Sequence, residues 1–163
     1  MPISPRFSPN AVRVIDVLTY PAVQLLDVTG PVQVFASAND LVAGAGGERP
    51  YVLRVVAQGG EGVTASAGVA LAAGPLTQLG EALDTLLVAG GEGAEAAAEN
   101  PVLIEWVRER AAQARRVGLH RCVPARCCRP AGRSPRRDAL EVLRQACATF
   151  SRRACRARSD FRV

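Results

Sequence analysis

The chain has 163 residues, 48% of them hydrophobic, a length that suits one domain with a buried core. No apolar run approaches the roughly 20 residues of a membrane span, and Met1 to Asn10 lacks the apolar stretch of a secretory leader, so the expectation is a cytoplasmic protein without a membrane partner. The net charge of +5 is divided: residues 1–117 carry 8 Arg against 12 Asp/Glu and no Cys or His, whereas residues 118–163 carry 12 Arg against 3 Asp/Glu, all five Cys and the single His.

Residues 12–19, VRVIDVLT, form a β-branched run ended by Tyr20-Pro21, which predicts a buried first strand. From Val23 to Asp40, apolar residues at Val23, Leu26, Val34, Phe35 and Ala38 have helical spacing. Pro31 cannot donate a backbone hydrogen bond, so a break or a fresh helix start is expected at Gly30-Pro31. A glycine-rich loop leads to a second strand, Tyr51 to Ala57, and residues 58–75 read as short strands or an irregular hairpin.

Asp84 to Val88 is a further apolar run, turned by Ala89-Gly90-Gly91. Asn100 is a good N-cap with Pro101 at the first helical position, which predicts a helix to about Arg116. Its apolar stripe would be Val102, Leu103, Trp106, Val107 and Ala111, with Glu105 and Glu109 opposing Arg108 and Arg110 on the wet faces. Strands alternating with helices in this order predict an α/β fold with a parallel sheet, whose sites gather at the carboxyl ends of the strands. Tyr20-Pro21, Asp27 and Gly90-Gly91 would lie at that edge.

The block Tyr20-Pro-Ala-Val-Gln-Leu-Leu-Asp-Val-Thr-Gly-Pro-Val-Gln-Val-Phe35, followed by Asp84-Thr-Leu-Leu-Val-Ala-Gly-Gly91, resembles the DJ-1/PfpI superfamily of class I glutamine amidotransferase-like proteins. Within it, the similarity is greatest to the N-terminal domain of AraC-family regulators that carry an amidase-like sensor. The resemblance covers Val12 to Val117. It implies a flavodoxin-like parallel sheet with flanking helices, incomplete here on its C-terminal side. It also implies that Asp27 matches the acidic position beside the family's nucleophilic cysteine, and that Gly90 and Gly91 match the turn whose N–H groups form an oxyanion hole.

In the family a segment reading roughly Val-Cys-Thr-Gly-Ala-Phe, with a His-Trp further on, follows the strand that begins near Arg116-Val117. Here Gly118-Leu-His-Arg-Cys-Val-Pro-Ala-Arg-Cys-Cys follows instead, without an elbow or an apolar helix behind it. Back-translated with GC-rich codons, which the absence of Lys also suggests, residues 118–150 permit Val-Cys-Thr-Gly-Ala-Phe and then Thr-His-Trp in a shifted frame. Residues 118–163 are therefore read as an out-of-frame, poorly ordered tail, the alternative being a genuine Arg/Cys-rich extension.

His120, Cys122, Cys127, Cys128, Cys147 and Cys155 offer no paired C-x-x-C spacing, so neither a metal nor a cofactor is expected. Asp138 to Phe150 could form a short amphipathic helix. Three functions compete. The first is a degenerate, non-catalytic ligand-sensing domain of a transcriptional regulator, without the helix-turn-helix, that takes a small-molecule effector and pairs as a homodimer. The second is a PfpI-like cysteine amidase or hydratase, which needs a low-pKa thiol near Asp27. The third is a non-specific nucleic-acid binder acting through the Arg-rich tail, with no specific nucleic-acid site.

Overall fold

The computed structural model describes residues 11–119. His120, the five cysteines and the Asp138 to Phe150 segment lie outside the described residues. Strand β1 (Arg13–Leu18) is the β-branched run of the sequence, and β2 (Tyr51–Ala57) pairs with it in parallel from Arg13 opposite Tyr51 to Leu18 opposite Val56. Residues 58–75 form an antiparallel pair, β3 (Val63–Thr64) with β4 (Ala70–Leu71), and then β5 (Gly74–Pro75) beside β2. Strands β6 (Thr85–Val88) and β7 (Arg116–Leu119) complete a five-stranded sheet of order β5-β2-β1-β6-β7 in which every pairing is parallel. This is the α/β, flavodoxin-like arrangement expected. β7 runs two residues past Val117, where the composition changes.

Both faces of the sheet are covered, which is why its strands read as nearly continuous apolar runs. Helix α1 (Leu25–Gly44) covers one face, where Ile15, Val17, Val23 and Val28 are buried with Leu25, Val32 and Phe35 packed against them. Helix α3 (Pro101–Gln113) covers the other, with Leu103, Trp106, Val107 and Ala111 against Leu18, Val56 and Leu86. A short helix not foreseen from the sequence, α2 (Ala94–Glu99), precedes it. Among the described residues no helix is long and apolar enough to cross a membrane.

Five expectations are corrected. Helix α1 passes through Pro31 without a break. Its inward stripe is Leu25, Val28, Val32, Phe35 and Asn39, spaced three and four apart across the proline, with Val28 and Asn39 buried and the other three partly buried. Burying such side chains contributes about 1.5–3 kcal/mol each, which outweighs the roughly 3 kcal/mol that an interior proline costs. Leu26 and Val34, read as inward, are instead 69% and 67% exposed, because they lie on the opposite face from that stripe.

On α3, Val102 is exposed while Arg110, expected on a wet face, is completely buried. It is drawn inward by Asp16, the acid in the middle of β1. Asp16 accepts from Arg110 Nη2 at 3.0 Å, from Arg54 Nε at 2.6 Å and from the Thr77 hydroxyl at 2.9 Å. The helix is shorter than expected, ending at Gln113. Its start is as read: the Asn100 side chain accepts from the N–H groups of Val102 and Leu103 at 3.0 and 3.4 Å.

Candidate functional site

The sheet reverses direction at β1: the chain runs outward to β2 and β5, then returns to β6 on β1's other side. The carboxyl ends of β1 and β6 flank that switch point, where open α/β sheets bind ligands. The segments leaving them, Thr19 to Gln24 and Ala89 to Gly93, are cross-linked backbone to backbone. Gln24 N–H donates to the Gly90 carbonyl at 2.8 Å, Gly93 N–H donates to Ala22 O at 3.1 Å, and Val23 and Gly91 form an antiparallel bridge.

The structure brings Asp27, Gly90 and Gly91 together. Asp27 lies in the first turn of α1, where a negative charge is favoured by the helix dipole. Gln24, at the N-cap, makes no side-chain cap bond. Its Oδ2 reaches across 63 residues of sequence to accept the buried N–H of Gly90 at 2.9 Å. That N–H therefore points at a carboxylate, and an oxyanion placed there would compete with the Asp27 charge for the donor.

Gly91 is indispensable to this arrangement. Its φ is +130°, and a Cβ would fall 2.3 Å from the Gln24 nitrogen and 2.8 Å from the Ala22 carbonyl oxygen. Gly93, which the sequence reading did not single out, is as tightly placed: a Cβ there would meet the Pro21 carbonyl oxygen at 1.9 Å. Ala22 takes a φ of +57°, a conformation that a residue with a side chain holds only when its surroundings enforce it. Its enforcers are hydrogen bonds to Thr64 O and from Gly93 N–H, the first of which ties the β3–β4 hairpin to the same corner. No local composition signal marks Ala22 or Gly93, because both requirements come from segments distant in sequence.

Tyr20 completes the corner. It is buried, and its hydroxyl donates a short hydrogen bond to the Ala89 carbonyl. Burial, with the nearby Asp27 charge second, pushes the phenol well above its ordinary value, so it stays a neutral donor. Beside this corner, at the carboxyl ends of β1 and β2, opens a cleft of about 440 Å³ bordered by Thr19, Gln58, Glu61 and α2. Among the described residues no group of three or more His, Cys, Asp or Glu is disposed to hold a metal ion.

No family model matches the chain. Over 101 residues it is 35% identical to an uncharacterized protein in the cpoL 5′ region of Streptomyces lividans, a match covering 62% of this chain and 67% of that one. Over 84 residues it is 38% identical to an HTH-type transcriptional regulator of Mycobacterium tuberculosis, covering 50% of this chain and 32% of the regulator. The crystal structure of a ThiJ/PfpI family protein from Pseudomonas syringae superposes with a TM-score of 0.55 at 23% identity, covering 72% of this chain and 48% of that structure. The chain thus spans about two thirds and one third of these two curated relatives, and about half of that solved structure.

Proposed function

We propose that this chain, which belongs to one family with the Streptomyces lividans protein and by its fold to the DJ-1/ThiJ/PfpI superfamily, is a non-catalytic effector-sensing domain of a transcriptional regulator. The observation that carries the reading is the Asp27–Gly90 hydrogen bond. A corner built for acyl chemistry keeps its oxyanion donors available for charge that develops in the transition state. Here the Gly90 donor is held by a buried carboxylate, and that bond joins the start of α1 to the end of β6. Asp27, Gly90 and Gly91 then serve as a rigid clasp between elements that a bound effector can bias. The identity shared with the mycobacterial HTH-type regulator supports the regulatory setting.

The proposal includes pairing with a second copy of the chain, and an out-of-frame origin for residues 118–163, supported by their charge, their cysteine usage and the strings recovered in the shifted frame. Backbone pairing requires no particular side chain, so Gly118 and Leu119 fit β7 on either origin of the tail. Sequencing the locus through codon 117 decides the origin.

Thiol labelling of the full chain separates sensor from enzyme. At neutral pH all five cysteines should react with iodoacetamide at similar rates, as ordinary thiols do. Selective rapid labelling of Cys122, lost in Asp27→Asn, would instead support the amidase or hydratase. For the sensing role itself, the full chain fused to a heterologous DNA-binding domain should give effector-dependent control of a reporter. Reporter output that no tested metabolite extract changes counts against it.

A further inference from the structure

Helix α1 carries a second apolar stripe, on the side away from the sheet. Leu26, Val34 and Leu41 are exposed, Leu41 most of all at 76%. With Gly30 and Ser37 between them, the five positions follow steps of four, four, three and four residues, which keeps them on one helix face. That face is opposite Val28, Val32 and Phe35, which meet the sheet. A surface helix normally turns charged residues to water. The charged residues of α1 are Asp27, which is buried, and Asp40, which pairs with Arg49 at 3.3 Å near the helix's C-terminal end. The outer face is therefore apolar and uncharged along most of its length, the composition of a surface that is covered by a partner.

Gly30 points the same way. A Cβ there would meet nothing within 4 Å, and its φ is not positive, so nothing among the described residues calls for glycine. Glycine inside a helix is destabilising relative to alanine, and a close approach from outside accounts for it. The stripe also identifies its partner, because it is symmetric. Leu26 and Leu41 are equidistant from a point between Gln33 and Val34. Equal spacing about a centre serves a contact between two identical surfaces and confers nothing on contact with an unlike partner.

We propose that two copies of this chain pair through the outer face of α1, the helices antiparallel about a two-fold axis beside Val34. Leu26 of each copy lies against Leu41 of the other, the two Val34 side chains meet beside the axis, and Gly30 opposite Ser37 lets the backbones approach. The antiparallel arrangement sets the helix dipoles head to tail and holds the two Asp40 carboxylates about 20 Å apart along the helices, where a parallel pair would set them side by side. One helix pair makes a small interface, so the association is weak and reversible. The inference rests on the pairing included in the proposed function and names the surface that pairs.

Sedimentation velocity of the full chain tests it, with far-UV circular dichroism to show that each variant remains folded; the substituted side chains are exposed, so it should. The parent is expected to show a monomer–dimer equilibrium over roughly 1–200 µM. Val34→Glu, which sets like charges beside the axis, should weaken association by about tenfold or more, and Leu26→Glu or Leu41→Arg alone should weaken it too. Leu26→Glu combined with Leu41→Arg should associate at least about fivefold more tightly than either single variant, because each Glu then faces the other copy's Arg. The two positions are about 22 Å apart on one helix and cannot pair within a chain. Val102→Glu, at an exposed site on α3, should leave the equilibrium unchanged. A dimer that persists in Val34→Glu, or a double variant no tighter than the singles, overturns this surface while leaving pairing through another one. A parent that stays monomeric throughout the range overturns the pairing as well.

Discussion

Removing the Asp27 carboxylate takes the acceptor away from a buried N–H, so the consequence is set by what the replacement offers Gly90. Asp27→Ala leaves that N–H dry, which costs about 1–3 kcal/mol, whereas Asp27→Asn keeps an oxygen in place and should lose about half as much. Urea denaturation of the two variants checks the order, and equal losses would show that charge rather than the hydrogen bond is what Asp27 provides. Gly91→Ala is the harsher change. It combines a φ of +130° with an overlap against the backbone of Gln24 and Ala22 that no side-chain rotation relieves. Strain of this kind costs about 1–3 kcal/mol before the overlap is counted. The variant is therefore expected to lose most of its cooperative unfolding transition, read by far-UV circular dichroism on heating.

Helix α1 offers a prediction in the opposite direction. Pro31 is retained because the stripe on either side of it packs against the sheet, but it has no N–H to make the i→i−4 hydrogen bond of its turn. Pro31→Ala restores that bond and should raise stability by about 1–2 kcal/mol, less than the full proline penalty because alanine also frees the unfolded chain. A rise in the denaturant midpoint without a change in slope is the expected signature. Elements of this kind divide what the sequence makes legible from what it does not. The strands at 13–18, 51–57 and 85–88 and the Asn100 cap were readable, because β-branched runs and capping chemistry act locally. The face of α1 was not, because Leu26 and Val34 are as apolar as Leu25 and Val32 and only the packed sheet chooses between them. Arg110 was hidden for a similar reason: its burial follows from Asp16, 94 residues away, and a charged residue on a helix reads as solvated until its partner is known. The clasp lies between these cases. Asp27 and Gly90-Gly91 were legible through a family resemblance, yet the bond joining them was not.

Across the whole molecule, two buried ionic groups hold the layers in register. Asp16 gathers Arg54 from β2, Thr77 from the segment before β6 and Arg110 from α3, while Arg110 Nη1 also donates to the carbonyls of Gln78 and Glu81. Asp16→Asn would strand a completely buried guanidinium, and about 3–5 kcal/mol of stability should go with it. The double change Asp16→Leu with Arg110→Met should recover much of that loss, since an apolar pair of similar volume needs no counter-charge; a double-mutant cycle in urea measures the coupling. The second group lies at the amino ends of β6 and β7, where Arg115 Nε and Nη2 grip the two oxygens of Asp84 at 2.7 and 2.9 Å and Thr85 donates to it at 2.7 Å. Burial by itself would raise the Asp84 carboxyl, but the Arg115 and Thr85 hydrogen bonds, with the charges of Arg115 and Arg13, outweigh it and hold the group below its ordinary value. A depressed carboxyl stabilises the fold at pH above its unfolded value near ~4 and loses that contribution as the pH falls through the lower folded value. The denaturant midpoint should therefore drop as the pH is taken below ~4. Asp84→Asn should be less stable than the parent at neutral pH and should show a shallower acid limb. An acid limb of unchanged steepness in Asp84→Asn would assign the acid sensitivity to other carboxylates.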